Sequence, residues 1–274
     1  MRSGSNRSRS TALPSDAIGP PDRTCDPVPA AWVLLRGLSR EARHWGAFAD
    51  HLRRELDTIV ICPDLPGFGV ANERRSPRTV AGIADAVEHE LRAQRTAGPW
   101  GVLGVSLGGM VALELSARSP CIVSRCVVVN TSAANVSRAV DRMKPGAVPG
   151  IVVGRRTRLA YERAVLRRTT NHCDDIEALA RQHAVWARQT PPRRGAVVAQ
   201  ITAASRFHVE PRIDTPVLVL SAERDRLVSP RCSRQLAAHL DAPAAVHPTG
   251  GHDLAADDPD WITSNVLSWL RRGA

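Results

Sequence analysis

Among its 37 cationic residues the chain has a single lysine, Lys144, and its aromatics are only three Phe, six Trp and one Tyr. No apolar run exceeds about six residues, where a bilayer-spanning helix needs roughly 18, so no membrane span is expected. The net charge of +10 would suit a nucleic-acid surface. However, no helix-turn-helix, zinc-finger or aromatic RNP pattern accompanies it, so no nucleic-acid partner is expected. The preference for Arg over Lys, together with abundant Ala, matches GC-rich coding. There is no Cys-x-x-Cys, no other metal-ligand spacing and no dinucleotide fingerprint, so neither metal nor cofactor is expected. Cys25, Cys62, Cys121, Cys126, Cys173 and Cys232 sit mostly within apolar runs of a chain too large to need stapling. They read as buried free thiols in a reducing, cytoplasmic protein. The first 29 residues hold five Ser, five Pro and four Arg and no apolar h-region. That composition predicts a disordered tail rather than a secretory signal.

What is present is an ordinary globular composition, 43% apolar and 23% charged, in a length that suits one large or two small domains. From Ala30 on, β-branched runs alternate with amphipathic stretches, the pattern of a mostly parallel α/β sheet wrapped by helices. Strands are predicted at Ala31 to Leu35, Thr58 to Cys62, Trp100 to Val105, Ile122 to Asn130, Pro216 to Ser221 and Ala244 to His247. Their apolar continuity suits strands covered on both faces. Helical spacing links Trp45, Phe48, Leu52 and Leu56, then Val80, Ile83, Ala84, Val87 and Leu91, and finally Ile262, Val266, Trp269 and Leu270. Between about 134 and 212 only helical patterns remain, one of them opening on a capping box of Asp174 and Glu177 and closing before Pro191-Pro192. The predicted organisation is a tail over 1–29, a core over 30–133 and 213–274, and a helical cap over 134–212.

The strongest chemical signal is Gly104-Val105-Ser106-Leu107-Gly108-Gly109, set between an apolar strand and a helix-like run. A turn this tight needs small residues on both sides of the serine and holds Ser106 out at the strand tip. A serine hydroxyl attacks well only when a neighbouring base takes its proton and a carboxylate orients that base. Asp225 follows the strand that begins at Pro216, and His252 follows the last strand. Both therefore fall in loops after strands, where open parallel sheets build their sites.

The order Ser106, Asp225, His252 resembles that of α/β-hydrolases. Other segments extend the likeness. Asp64-Leu65-Pro66-Gly67-Phe68-Gly69 is similar to the family's D-x-P-G-x-G loop, and the segment from Leu220 to Pro230 resembles its acid loop. Gly251-His252 with Asp258-Pro259 resembles its histidine loop. Leu35-Arg36-Gly37-Leu38 occupies the place of its His-Gly motif, with Arg36 where the family has histidine and so without the usual brace for that loop. No antiparallel hairpin precedes Ala30, so the family's first two strands are not expected. The resemblance implies an oxyanion hole from the backbone N–H groups of Leu38 and Leu107. It also implies ester, thioester or amide acyl transfer, a carboxylic ester first. Relatives with an aspartate nucleophile are set aside by Ser106. The same triad order also occurs in the menaquinone-pathway lyase, and a non-catalytic binding protein on this fold is the third reading.

The segment 131–215 carries fourteen Arg and one Lys against four Asp and three Glu, a net +8. Arg138 and Arg142, and separately Arg156, Arg163 and Arg167, would share helix faces. Solvated surface is one reading of these stripes. The other is docking of an anionic substrate or an acidic acyl carrier protein, an arrangement like that of pimeloyl-acyl-carrier-protein methyl ester esterases. Glu223 reads as a solvated charge. The remaining histidines read as surface or core residues, with His44 the closest to the Gly37 loop.

Overall fold

The computed structural model describes residues 29–145 and 157–272. The expected tail falls outside them except for residue 29, as do Cys25 and Arg156. The described chain forms a six-stranded, wholly parallel sheet in the order β2-β1-β3-β4-β5-β6. Its strands are β1 (Ala31–Leu35), β2 (Ile59–Ile61), β3 (Trp100–Val105), β4 (Val123–Val129), β5 (Val217–Ala222) and β6 (Ala244–His247). All six predicted strands are there; the stretch before β1, where the family's first two strands were not expected, lies outside the described residues apart from 29 and 30. The four inner strands are buried at every position. That burial explains why they read as continuous apolar runs: both faces are covered by helices. The edge strands β2 and β6 are partly exposed, with Ile59 62% exposed.

Alternation along each strand sorts its side chains into two cores. Val33, Leu35, Val102, Val128 and Val219 face α2 (Val80–Ala93), α3 (Leu107–Arg118) and α8 (Pro230–Leu240). Trp32, Leu34, Leu103, Val127 and Leu220 face α1 (Phe48–Leu56) and α10 (Pro259–Arg272). The short α9 (Leu254–Asp257) precedes α10. The predicted apolar stripes of α2 and α10 are the faces these helices bury, with Leu270 partly buried, while that of α1 is reduced to Phe48, Leu52 and the partly buried Leu56, because Trp45, also buried, lies in a separate 3-10 turn (Ala42–Trp45) ahead of the helix.

The segment between β4 and β5 carries α4 (Ala139–Arg142), α5 (Arg158–Thr169), α6 (Ile176–Gln189) and α7 (Ala196–Ser205), with no strand among its described residues. The cap of α6 is a correction. Asp175, not Asp174, accepts from Ala178 N–H at 2.8 Å, so the helix starts one residue later and Glu177 sits in its first turn instead of closing a box. The thiols also depart from expectation: Cys126 and Cys232 are buried, Cys62 and Cys173 half-buried, and Cys121, in the loop before β4, is exposed.

Candidate active site

β3 ends at Val105 and α3 begins at Leu107, leaving Ser106 alone to turn the chain, at φ 56° and ψ −117°. A side chain rarely adopts this backbone, and holding it costs on the order of 1–3 kcal/mol. Surrounding bonds impose the conformation: Ser106 N–H donates to Val129 O at 2.9 Å, and Thr131 Oγ1 donates to Ser106 O at 2.6 Å. The glycines permit the close approach. A Cβ on Gly108 would strike the Leu35 carbonyl, and one on Gly104 would strike the Gly108 backbone. Gly37, after β1, is in direct contact with the elbow, its Cβ position lying 3.3 Å from Ser106 Cβ.

Asp225 and His252 come together from the loops after β5 and β6. Asp225 is 2% exposed; its Oδ1 accepts from the N–H groups of Leu227 at 2.6 Å and Val228 at 2.9 Å, while Oδ2 lies 2.7 Å from His252 Nδ1. Two backbone donors and a histidine thus fix both carboxylate oxygens. Asn130, at the end of β4 in left-handed conformation, links the two loops. Its amide donates to the carbonyls of Gly251 at 3.1 Å and His252 at 2.8 Å, and its Oδ1 accepts from Ala222 N–H at 2.9 Å. No sequence signal marked Asn130, because its partners lie about ninety residues or more away. Ser106, His252, Gly37 and Leu38 line one cavity of about 530 Å³, a size that suits a small-molecule ligand. Leu107 is buried behind Ser106 as the first residue of α3.

Arg36 braces this site. Its guanidinium makes a bidentate pair with Asp253, 3.0 Å from Nη1 to Oδ1 and 2.5 Å from Nη2 to Oδ2, and stacks 4.6 Å over the Trp45 ring. The loop after β1 is therefore tied to the residue next to His252. Burial pushes the Asp253 carboxyl up, but the Arg36 charge and hydrogen bonds outweigh it, so its pKa falls below the ordinary value. Asp64 of the D-x-P-G-x-G loop plays a similar scaffolding part, accepting from Ala42 N–H at 2.6 Å and Val70 N–H at 2.8 Å.

The helical segment meets the β1 loop through a buried polar cluster. Glu162 of α5 is wholly buried between Arg40 Nη1 at 2.6 Å and Arg158 Nη2 at 3.0 Å. His44 and His183 pack with ring centroids 4.2 Å apart beside it. Burial first, then the Arg40 charge, lowers both imidazoles, His183 to about 3 and His44 further. Both rings are neutral at physiological pH. Arg163 and Arg167 do share a helix face, where both contact Glu177 of α6, Arg163 with bonds of 2.6 and 2.7 Å and Arg167 at 3.4 Å. Arg142 turns inward instead, donating to Ser132 and to the last carbonyls of α7. Glu223 pairs with Arg234 at 3.0 Å on the half-exposed surface.

A serine on a strained strand-to-helix turn, sharing a cavity with a histidine backed by a buried carboxylate, is the layout of an α/β hydrolase. The chain matches the model of the Alpha/beta hydrolase family over residues 32–264 and belongs to that family. It is 32% identical over 209 residues to a pimeloyl-(acyl-carrier protein) methyl ester esterase of Neisseria meningitidis serogroup C, covering 72% of this chain and 78% of the relative. It is also 26% identical over 249 residues to the magnesium-chelatase 30 kDa subunit of Rhodobacter capsulatus, 87% of this chain and 86% of that protein. Among solved structures, 2-hydroxy-6-oxo-6-phenylhexa-2,4-dienoate hydrolase from Rhodococcus sp. strain RHA1 superposes with a TM-score of 0.71 at 21% identity. That match covers 90% of this chain and 92% of the other. No helix among the described residues is long and apolar enough to cross a membrane.

Proposed function

We propose that the protein is a serine esterase cleaving a carboxylic ester through an acyl-enzyme. Ser106 is the nucleophile, His252 the general base and then acid, and Asp225 the carboxylate that orients the imidazole. The observation that carries this reading is the 2.7 Å contact of Asp225 Oδ2 with His252 Nδ1, at the wall of the cavity that Ser106 also lines. With Nδ1 engaged, Nε2 takes the Ser106 proton as Oγ attacks the ester carbonyl. The imidazolium then hands that proton to the departing alkoxide. Water, deprotonated in turn by His252, releases the acid and restores Ser106. The N–H groups of Leu38 and Leu107 hold the oxyanion, the second at the start of α3, where unpaired N–H groups and the helix dipole favour negative charge. Residues 134–212 act as a cap that selects the substrate.

An acyl-carrier-linked substrate draws support from the name of the Neisseria relative and from the net +8 of residues 131–215. Arg163 and Arg167 offer a carrier less charge than the count suggests, because they already share Glu177.

The test is treatment with a fluorophosphonate and hydrolysis of a p-nitrophenyl ester. The adduct is expected on Ser106 and absent from Ser106→Ala. His252→Ala should lower kcat by at least about a thousandfold, with Asp225→Asn milder. Labelling that survives Ser106→Ala, or unchanged hydrolysis by His252→Ala, would refute the assignment. A lyase using the same side chains would turn over no ester.

A further inference from the structure

The cavity beside Ser106 is largely apolar, with Leu38, Phe68, Val165, Ile201 and Leu227 on its walls, yet four arginines also line it: Arg36, Arg40, Arg158 and Arg168. Arg36, Arg40 and Arg158 share two acids among the described residues. Arg36 is balanced by Asp253. Arg40, from the loop after β1, and Arg158, one turn earlier on α5, meet on a single acid, Glu162. The other titratable groups packed there, His44 and His183, are neutral and remove none of the surplus. Arg40 Nη2 and Arg158 Nε find no hydrogen-bond acceptor among the described residues, and the Arg40 side chain is only 8% exposed. Arg158 is 31% exposed, stacks 5.0 Å over Tyr161, and both line the cavity. The Tyr161 hydroxyl lies 2.9 Å from Ser39 Oγ, beside them.

A surplus guanidinium charge at an apolar wall is costly while it stays unmatched, and a planar two-oxygen anion is its best partner. We propose that the substrate ester carries a carboxylate, which Arg158 and Arg40 receive at the α5 side of the cavity while Ser106 meets the ester carbonyl. This deepens the esterase reading and rests on it. A cation is not the occupant, although His44, Glu162 and His183 offer ligand atoms within 4.8 Å of one another. Glu162 is already engaged by two guanidinium groups that would repel a metal. His44 Nδ1 accepts from Glu41 N–H at 2.9 Å, which leaves the ring proton on Nε2, the atom a metal would need.

The carboxylate can belong to the acyl or to the alcohol half, and two probe pairs tell these apart. One pair is the mono-p-nitrophenyl ester of adipic acid and its methyl-capped diester. The other is para-(carboxymethyl)phenyl hexanoate and its methyl ester. In one pair the charged member is expected to have the higher kcat/KM by about tenfold or more, as a charge-assisted hydrogen bond allows. Arg158→Gln should erase that ratio and Arg158→Glu should invert it. Because the readout is a ratio within one variant, a general loss of folded enzyme cancels. Faster turnover of the neutral member in both pairs, or a ratio indifferent to Arg158→Gln and Arg158→Glu, would overturn the proposal. No hydrolysis of any of the four esters and no fluorophosphonate adduct on Ser106 would instead overturn the esterase reading beneath it.

Discussion

Replacing Arg36 by Met tests the brace between the β1 loop and the histidine loop. The pair is desolvated on both sides, with side-chain exposures of 5% for Arg36 and 11% for Asp253. Removing one partner of such a pair typically costs about 3–5 kcal/mol, because the other charge stays buried without compensation. Loss of the stacking on Trp45 adds about 0.5–2 kcal/mol. The pH dependence carries the diagnostic sign. In the native protein the folded-state pKa of Asp253 is held below its unfolded value, so its contribution is present above an unfolded pKa of about 3.9 and fades as pH falls through the folded value. In Arg36→Met the two largest lowering influences are gone and burial, the largest of all, is opposed only by the Arg40 and His252 charges, so the carboxyl should rise, take a proton at mildly acidic pH and shrink the penalty. Urea unfolding at pH 7 and pH 5 should therefore give a deficit of several kcal/mol that narrows at the lower pH. The double variant Arg36→Met with Asp253→Leu should regain most of it, since replacing both partners of a buried pair is often neutral. A deficit that does not change between the two pH values, or a double variant as unstable as the two single losses combined, would refute this account of the brace.

Ser106→Gly should raise stability by roughly 1 kcal/mol in thermal unfolding, because glycine accepts φ 56° without strain, while hydrolysis disappears. An unchanged or lowered melting temperature would contradict the strain at the elbow. His44 and His183, neutral when folded, should each withdraw about 1.4 kcal/mol of stability per pH unit below an unfolded pKa of about 6.5, with His183 ceasing near 3. The check is that His183→Gln flattens the fall in stability between pH 6 and 4. Gly108→Ala sets a new Cβ against the Leu35 carbonyl and should cost more than the usual 1–3 kcal/mol of core overpacking, read as loss of soluble folded protein or a large drop in urea midpoint.

Short-range patterns carried much of this fold in the linear sequence. The six strands announced themselves because each is a local apolar run covered on two faces, and α1, α2 and α10 because their buried stripes follow the helical period. Gly104 to Gly109 was legible for the same reason: the turn's demand for small residues acts within six positions. Asp225 and His252 could be named because both follow strands, and the parallel order brings the ends of β5 and β6 to one edge. Even locally, the choice between Asp174 and Asp175 as helix cap was not decided, since adjacent acids can serve equally until the backbone selects the one whose oxygen reaches Ala178 N–H. What only the tertiary structure decided is where the charges go. Arg36 finds Asp253 across 217 positions, Arg40 finds Glu162 across 122, and Asn130 spans the loops after β5 and β6. An arginine count reports a net charge but not a partner. Partners are fixed by chain crossings, and the value of each pair is fixed by desolvation, neither of which is a property of neighbouring residues.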